Sequence, residues 1–177
     1  MNNFSFLNDK PEYRNFSKDC IDAENAFENS FNSCVKLVRS ALEAAVKWVY
    51  STDDKFSSAN NNLFNLISNP SFELAVGKNL ADKLHYCRKA GNAAIHNEKE
   101  FSAQEAITCL KNLFDFVQWL DSRYGENFTP RIFNAGKIPV KDPTWKKALE
   151  GIGEAGLNIL FPLFPIVKFG VKKFLGR

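Results

Sequence analysis

The chain is poor in the residues that build metal centres and nucleophilic active sites. It has two histidines and four cysteines in 177 residues. Cys20, Cys34, Cys87 and Cys109 stand one at a time, each inside a helix-like pattern, with no Cys-x-x-Cys pair. A zinc site needs such ligands gathered close together, so no metal and no cofactor is expected. The thiols read instead as buried, reduced side chains of a cytoplasmic protein. No GxxxxGK[ST] loop occurs, which excludes an ATP-driven motor built on that loop. No apolar run reaches the ~20 residues of a spanning helix. Asn2, Asn3 and Asp9 interrupt the first apolar residues, so no secretory signal is expected. A net charge of +3 is too slight to argue for nucleic acid by itself. Sustained apolar–polar alternation is also missing, which argues against half-buried strands.

What the chain has is aromatic side chains and helical periodicity. There are 17 phenylalanines against one methionine, which predicts a well-defined aromatic core. Phe4, Phe6 and Leu7 are expected to dock on the domain. Pro11 suits the first turn of a helix running on through Phe16, Cys20, Ala23 and Phe27. From residue 30 to 51, two adjoining stripes, Val35/Val38/Leu42/Ala45/Val49 and Leu37/Ala41/Ala44/Trp48, predict a central helix buried on more than one side. Arg39 and Glu43 sit within it, one turn apart. A polar loop, a short helix stopped before Pro70, and a helix carrying Leu80, Leu84 and Cys87 come next, with Gly91 expected to weaken or bend the last. Ser102 and Glu105 form a capping box ahead of Ile107, Leu110, Phe114 and Val117, and Gly125 follows as a stop. The reading is an all-α domain over residues 1–125.

Beyond residue 125 the composition becomes Pro- and Gly-punctuated, and residues 126–177 read as a linker plus a C-terminal helical extension. Asp142 and Pro143 resemble the N-cap and first residue of a helix. At the end, Val167, Val171, Phe174 and Leu175 make one apolar face, and Lys168, Lys172, Lys173 and Arg177 the other. Such a basic amphipathic helix packs on its own domain or a second subunit, or lies on an anionic membrane.

The chemistry-bearing residues gather in one stretch, "YCRKAGNAAIHN", residues 86–97. On a helix, Arg88, Asn92 and His96 fall one per turn on a single face. Gly91, Ala93 and Ala94 beside them let another backbone come close. A guanidinium grips a phosphate bidentately, and an imidazole transfers protons near neutral pH. Such a set could bind or cleave an RNA phosphodiester. The same residues also suit a structural role: Glu43 on the central helix needs a cation or donors, and Arg88, Asn92 or His96 could supply them.

The segments "NFSFL", "DAENAFENSFNSCVKLVRSALEAAVKWVY" and "LHYCRKAGNAAIHN" resemble a bacterial domain of unknown function. That domain is best known at the N-terminus of restriction-type R subunits (HsdR-like), ahead of a helicase motor, and belongs to the wider HEPN-like group. The resemblance covers roughly residues 4–120. Its most specific pieces are Lys36, Arg39 and Glu43 in one helix and Arg88, Lys89, Gly91, Asn92 and His96 in another. It implies a helical bundle and a setting in restriction or antiphage defence. Ribonucleases of that group carry an Arg and a His separated by four to six residues, often assembled across a dimer. Here seven residues separate Arg88 from His96, about 12 Å along an unbroken helix. To reach one phosphate they need the length of the Arg side chain, a break at Gly91, or a second subunit.

Three functions are therefore expected. The first is a non-catalytic, HEPN-like interaction module that binds RNA, DNA or a defence-system protein through the Arg–Asn–His stripe, with Arg39, Glu43, Lys89 and Gly91 as its supporting network. The second is a metal-independent endoribonuclease with His96 as acid or base, Arg88 as phosphate clamp and Asn92 as orienting amide. The third is a membrane-surface effector acting through residues 157–177. A homo-oligomer is expected in each case. The compartment is the cytoplasm, or the inner-membrane surface if the tail binds lipid.

Overall fold

A computed structural model describes residues 2–58 and 60–142, together with Lys146 and Glu150. The described residues form an all-α fold of six α-helices, with no strand among them. Two 3-10 turns, Ser5–Asp9 and Pro11–Tyr13, precede α1 (Ser17–Ala26), α2 (Phe31–Thr52), α3 (Leu63–Ile67), α4 (Pro70–Val76), α5 (Lys78–Ile95) and α6 (Ala103–Tyr124). Pro11 therefore opens a single 3-10 turn rather than α1. That turn places the Tyr13 and Phe16 rings against Trp48, and the α-helix begins only at Ser17.

The helix starts are chemically explicit. The Ser30 hydroxyl accepts from the Ser33 N–H at the head of α2, and the Asn62 and Asn69 side chains do the same for α3 and α4. Pro70 does not merely stop a helix. It is the first residue of α4, where its missing N–H leaves no bond unmade. Gly77, at φ 81°, separates α4 from α5. The expected capping box is present, with Ser102 and Glu105 each accepting from the other's backbone N–H. Gly91 neither breaks nor bends α5 out of helical form, because the helix runs through it to Ile95.

As its two apolar stripes predict, α2 is the central element and packs against α1, α5 and α6. Val35, Val38, Ala41, Leu42, Ala45, Val46 and Val49 are all buried. The phenylalanines fill the space around it. Phe114 meets Phe4 at 5.7 Å and Phe133 at 5.6 Å, and Phe116 stacks on Trp119 at 5.6 Å with 12° between the planes. The loop after α2 is not wholly polar, since Phe56 is buried against Tyr50 and Phe72. All four cysteines are buried and free.

Two buried carboxylates tie the N-terminal turns and the segment after α6 to this bundle. Glu24 on α1 accepts from the Asn3 and Phe4 backbone N–H groups and from the Asn3 amide. Asn3 in turn exchanges hydrogen bonds with the backbone of Asn134. Asp121 on α6 accepts from Lys10 (2.9 Å), Tyr13 (3.0 Å) and Arg131 (3.0 Å). Phe133, Ala135 and Ile138 are buried, so residues 126–142 begin as a strap on the bundle rather than a free spacer. The Lys146 N–H donates to the Asp142 carbonyl. Most of the helix expected after Asp142 and the tail cations Lys168, Lys172, Lys173 and Arg177 lie outside the described residues. No helix among the described residues is long and apolar enough to cross a membrane.

Asp121 is fully buried while Lys10 and Arg131 keep partial access to water. Removing the carboxylate leaves two half-desolvated cations and a buried phenol without their acceptor. Asp121→Ala is expected to lower unfolding free energy by about 2 to 3 kcal/mol in urea titration, and to expose the 126–142 strap to limited proteolysis.

Candidate functional site

The site is built where α2 and α5 cross. A Cβ placed on Gly91 would overlap the Cβ of Arg39 and lie within 2.8 Å of the next two side-chain carbons. Only glycine lets the Arg39 stem lie directly on the α5 backbone. From there Arg39 Nε donates to Asn92 Oδ1 at 2.7 Å, and Nη1 donates to Glu43 Oε2 at 3.1 Å. The other Glu43 oxygen accepts from Lys47 at 2.7 Å. Arg39, Glu43, Asn92 and Gly91 thus form one network. Its charged members are only partly buried, Arg39 at 23% and Glu43 at 26% side-chain exposure, so this is a rim network rather than a core one.

Arg88, one turn before Asn92, is placed differently. Its Nε is buried and has no hydrogen-bond partner. No carboxylate pairs with it among the described residues; its guanidinium lies 5.1 Å from the centre of the Phe64 ring. Burial, and then the like charge of Arg39, push its pKa below the ordinary arginine value, though a guanidinium stays charged at any physiological pH. Lys89 is exposed, and Lys36 reaches only Asn97 Oδ1 at 3.4 Å. Glu43 answers Arg39 and Lys47, whereas Lys36, Arg88 and Lys89 have no carboxylate partner among the described residues.

His96 sits at the edge of this arrangement. It is the C-cap of α5, and Asn97 behind it takes the left-handed conformation at φ 53°. The Glu98 N–H then bonds the Ala93 carbonyl and the Asn97 N–H the Ala94 carbonyl, a Schellman closure. His96 is exposed, and among the described residues no hydrogen bond or ion pair reaches its ring. The structure therefore joins Asn92 to the Arg39–Glu43 pair and brings Arg88 beside Arg39. It leaves His96 facing water on the outer end of the helix.

Two side chains that sequence reasoning passed over belong to the same face. His85, three residues before Arg88, has a buried Nδ1 without a partner, and its Nε2 is 3.4 Å from Ser68 Oγ. Its ring is 5.8 Å from that of Phe64. Burial first, then Arg88 and Lys89, push the His85 pKa below its ordinary value, against weaker opposing pulls from Asp82 and Glu73. Phe64 is 52% exposed although Leu63, Leu66 and Ile67 around it are buried. The available signal was its place off the buried stripe of a short helix.

The face can hold an anion. Bidentate donors on Arg88 and point charges on Lys36 and Lys89 suit phosphate oxygens. Thiol chemistry is disfavoured, because burial pushes the Cys20 and Cys34 thiols up and a hydrogen bond with Cys87, together with burial, does the same for Cys109. Among the described residues no group of His, Cys, Asp and Glu could hold a metal ion.

Gly91→Ala is expected to destabilise the protein by about 1 to 3 kcal/mol through overpacking, measured by thermal melting. Arg39→Ala should not rescue it, because the Cβ that clashes is still there. A second expectation concerns pH. A histidine whose folded pKa is depressed supplies stability above its unfolded value, 6.5, and that stability is lost as pH falls through the folded value. Wild-type stability should therefore decline relative to His85→Gln as pH drops below about 6.5, measured by denaturant titration across that range.

No curated protein and no solved structure matches the chain. A family model described as a domain of unknown function, DUF4145, matches residues 22–126. The match takes in α2 to α6 and with them each residue of the site from Lys36 to His96. The chain belongs to the DUF4145 family.

Proposed function

We propose that this chain is a non-catalytic helical interaction module that binds nucleic acid by its phosphate backbone, through the face shared by α2 and α5. The observation that carries the reading is Arg88: a half-buried guanidinium with a partnerless Nε, a cationic neighbour in Arg39, and no carboxylate among the described residues to neutralise it. A half-buried cation beside another cation is unfavourable, and an anion at the remaining Arg88 donors offsets the repulsion between the two. Lys36 and Lys89 extend the positive face along the two helices, so it fits a row of phosphates better than a single carboxylate. Asn92 holds Arg39 in place rather than the ligand. The resemblance to restriction-associated HEPN-like domains supports a defence setting in which the nucleic acid is the ligand.

His96 has the exposure an acid or base requires, but among the described residues it is not held by a second group as a catalytic imidazole ordinarily is. It is better read as part of the rim.

The test is binding of the full chain to labelled RNA and DNA at several salt concentrations, in EDTA. Log affinity should fall linearly with log salt. Arg88→Ala should weaken binding uniformly across sequences and reduce the slope by about 1, as loss of one phosphate contact requires. Lys89→Ala should act in the same direction. If wild type binds neither nucleic acid at low salt, the reading fails and a protein partner takes its place. If RNA is cleaved in EDTA, and cleavage disappears in a folded His96→Ala variant, the module is a ribonuclease instead.

A further inference from the structure

Phe64 is an aromatic ring left in water at the edge of a basic face. Isolated exposed apolar side chains are common and need no explanation. Leu74, 87% exposed on α4, is one such residue. Phe64 differs in its surroundings. Arg88 stands over its ring at 5.1 Å, and the His85 ring is 5.8 Å away, tilted by 45°. His85 is steadied through Ser68 at the C-terminal end of α3, and two α5 side chains, Arg88 and His85, flank the ring that α3 carries. The cation that covers Phe64 is also one of those with no carboxylate partner among the described residues.

We infer that Phe64 is a stacking platform for a nucleobase, and that the ligand of this face is single-stranded nucleic acid. The inference rests on the nucleic-acid reading above and narrows it. In a duplex each base already has its faces covered by its neighbours, and an aromatic side chain on the outside meets only sugar and phosphate. An unpaired base offers a free face, which an exposed ring beside backbone-binding cations engages. Arg88 then does two things. It closes one face of Phe64 as a cation–π partner, and its remaining donors reach the phosphate next to the stacked base. His85 is a positioning residue: uncharged at neutral pH, it supports the ring without adding a further charge beside Arg88. Stacking is tolerant of base identity, so little sequence preference follows.

The experiment measures binding of the full chain to a labelled single-stranded RNA and to the same strand in a duplex, at matched salt. Wild type, Phe64→Leu and Phe64→Trp are compared. A fluorescent purine analogue in the strand reports stacking by quenching. Wild type should prefer the single strand by about tenfold or more. Phe64→Leu keeps apolar bulk but should lose that preference and the quenching, while retaining the salt-dependent binding common to both forms. Phe64→Trp should keep or strengthen both. Equal affinity of wild type for single strand and duplex, or an unchanged preference in folded Phe64→Leu, overturns the inference and leaves the phosphate-binding function standing. Absence of binding to either form overturns both.

Discussion

The close approach of α2 and α5 at Gly91 is the constraint from which the rest of the site follows. A helix crossing is ordinarily separated by side chains from both partners. Here one partner contributes none, and the stem of Arg39 fills the space directly. The guanidinium that emerges from this contact has few positions open to it. It is taken by Asn92 on one side and by Glu43 on the other. A charged residue on a mobile four-bond stem would otherwise sample many rotamers, and ordering it would cost conformational entropy. The helix crossing restricts that freedom, so Arg39 is held before any ligand arrives.

The fixed position of Arg39 also defines the electrostatics around it. Glu43 cannot neutralise everything nearby, because Arg39 and Lys47 already share its two oxygens. Arg88 is left with an aromatic ring as its partner, and a ring quadrupole offsets only part of the loss of hydration. The result is a rigid, positively charged rim beside an exposed phenylalanine. Structural networks ordinarily balance their charges. This one balances Arg39 and leaves Arg88 unanswered, which is why binding rather than internal bracing is the reading supported here.

The far side of the bundle is tied by a second set of contacts. Glu24 and Asp121 are buried carboxylates, and each is matched to donors from the N-terminal turns or the segment after α6: Asn3 and Phe4 for the first, Lys10, Tyr13 and Arg131 for the second. A buried carboxylate without those donors would be strongly unfavourable. The N-terminal turns and the 126–142 strap must therefore close on α1 and α6 together, with Phe4, Phe114 and Phe133 completing an edge-to-face cluster between them. The result is a scaffold in which α2 is covered by α1, α5 and α6.

Much of this was legible in the residues taken in order. Helical periodicity gave the all-α class and the central position of α2, since two adjoining apolar stripes require burial on more than one side. Ser102 and Glu105 announced the start of α6, because a capping box depends only on residues three apart. Local chemistry did not settle whether Pro11 opens an α-helix or a single 3-10 turn, nor whether Gly91 bends a helix or admits a neighbour. Those outcomes depend on Trp48 and Arg39, which approach from elsewhere in the chain. The linear spacing of Arg88, Asn92 and His96 likewise suggested one shared site, and the three part company for reasons of packing. Asn92 turns to Arg39, Arg88 lies over Phe64, and Asn97 ends the helix so that His96 faces water. The sequence by itself determined which side chains share a helical face, because that follows from the 3.6-residue turn. Only the tertiary structure decided which of them are engaged and which stay available, because Asn92 meets Arg39 and Arg88 meets Phe64 across helices far apart in the chain.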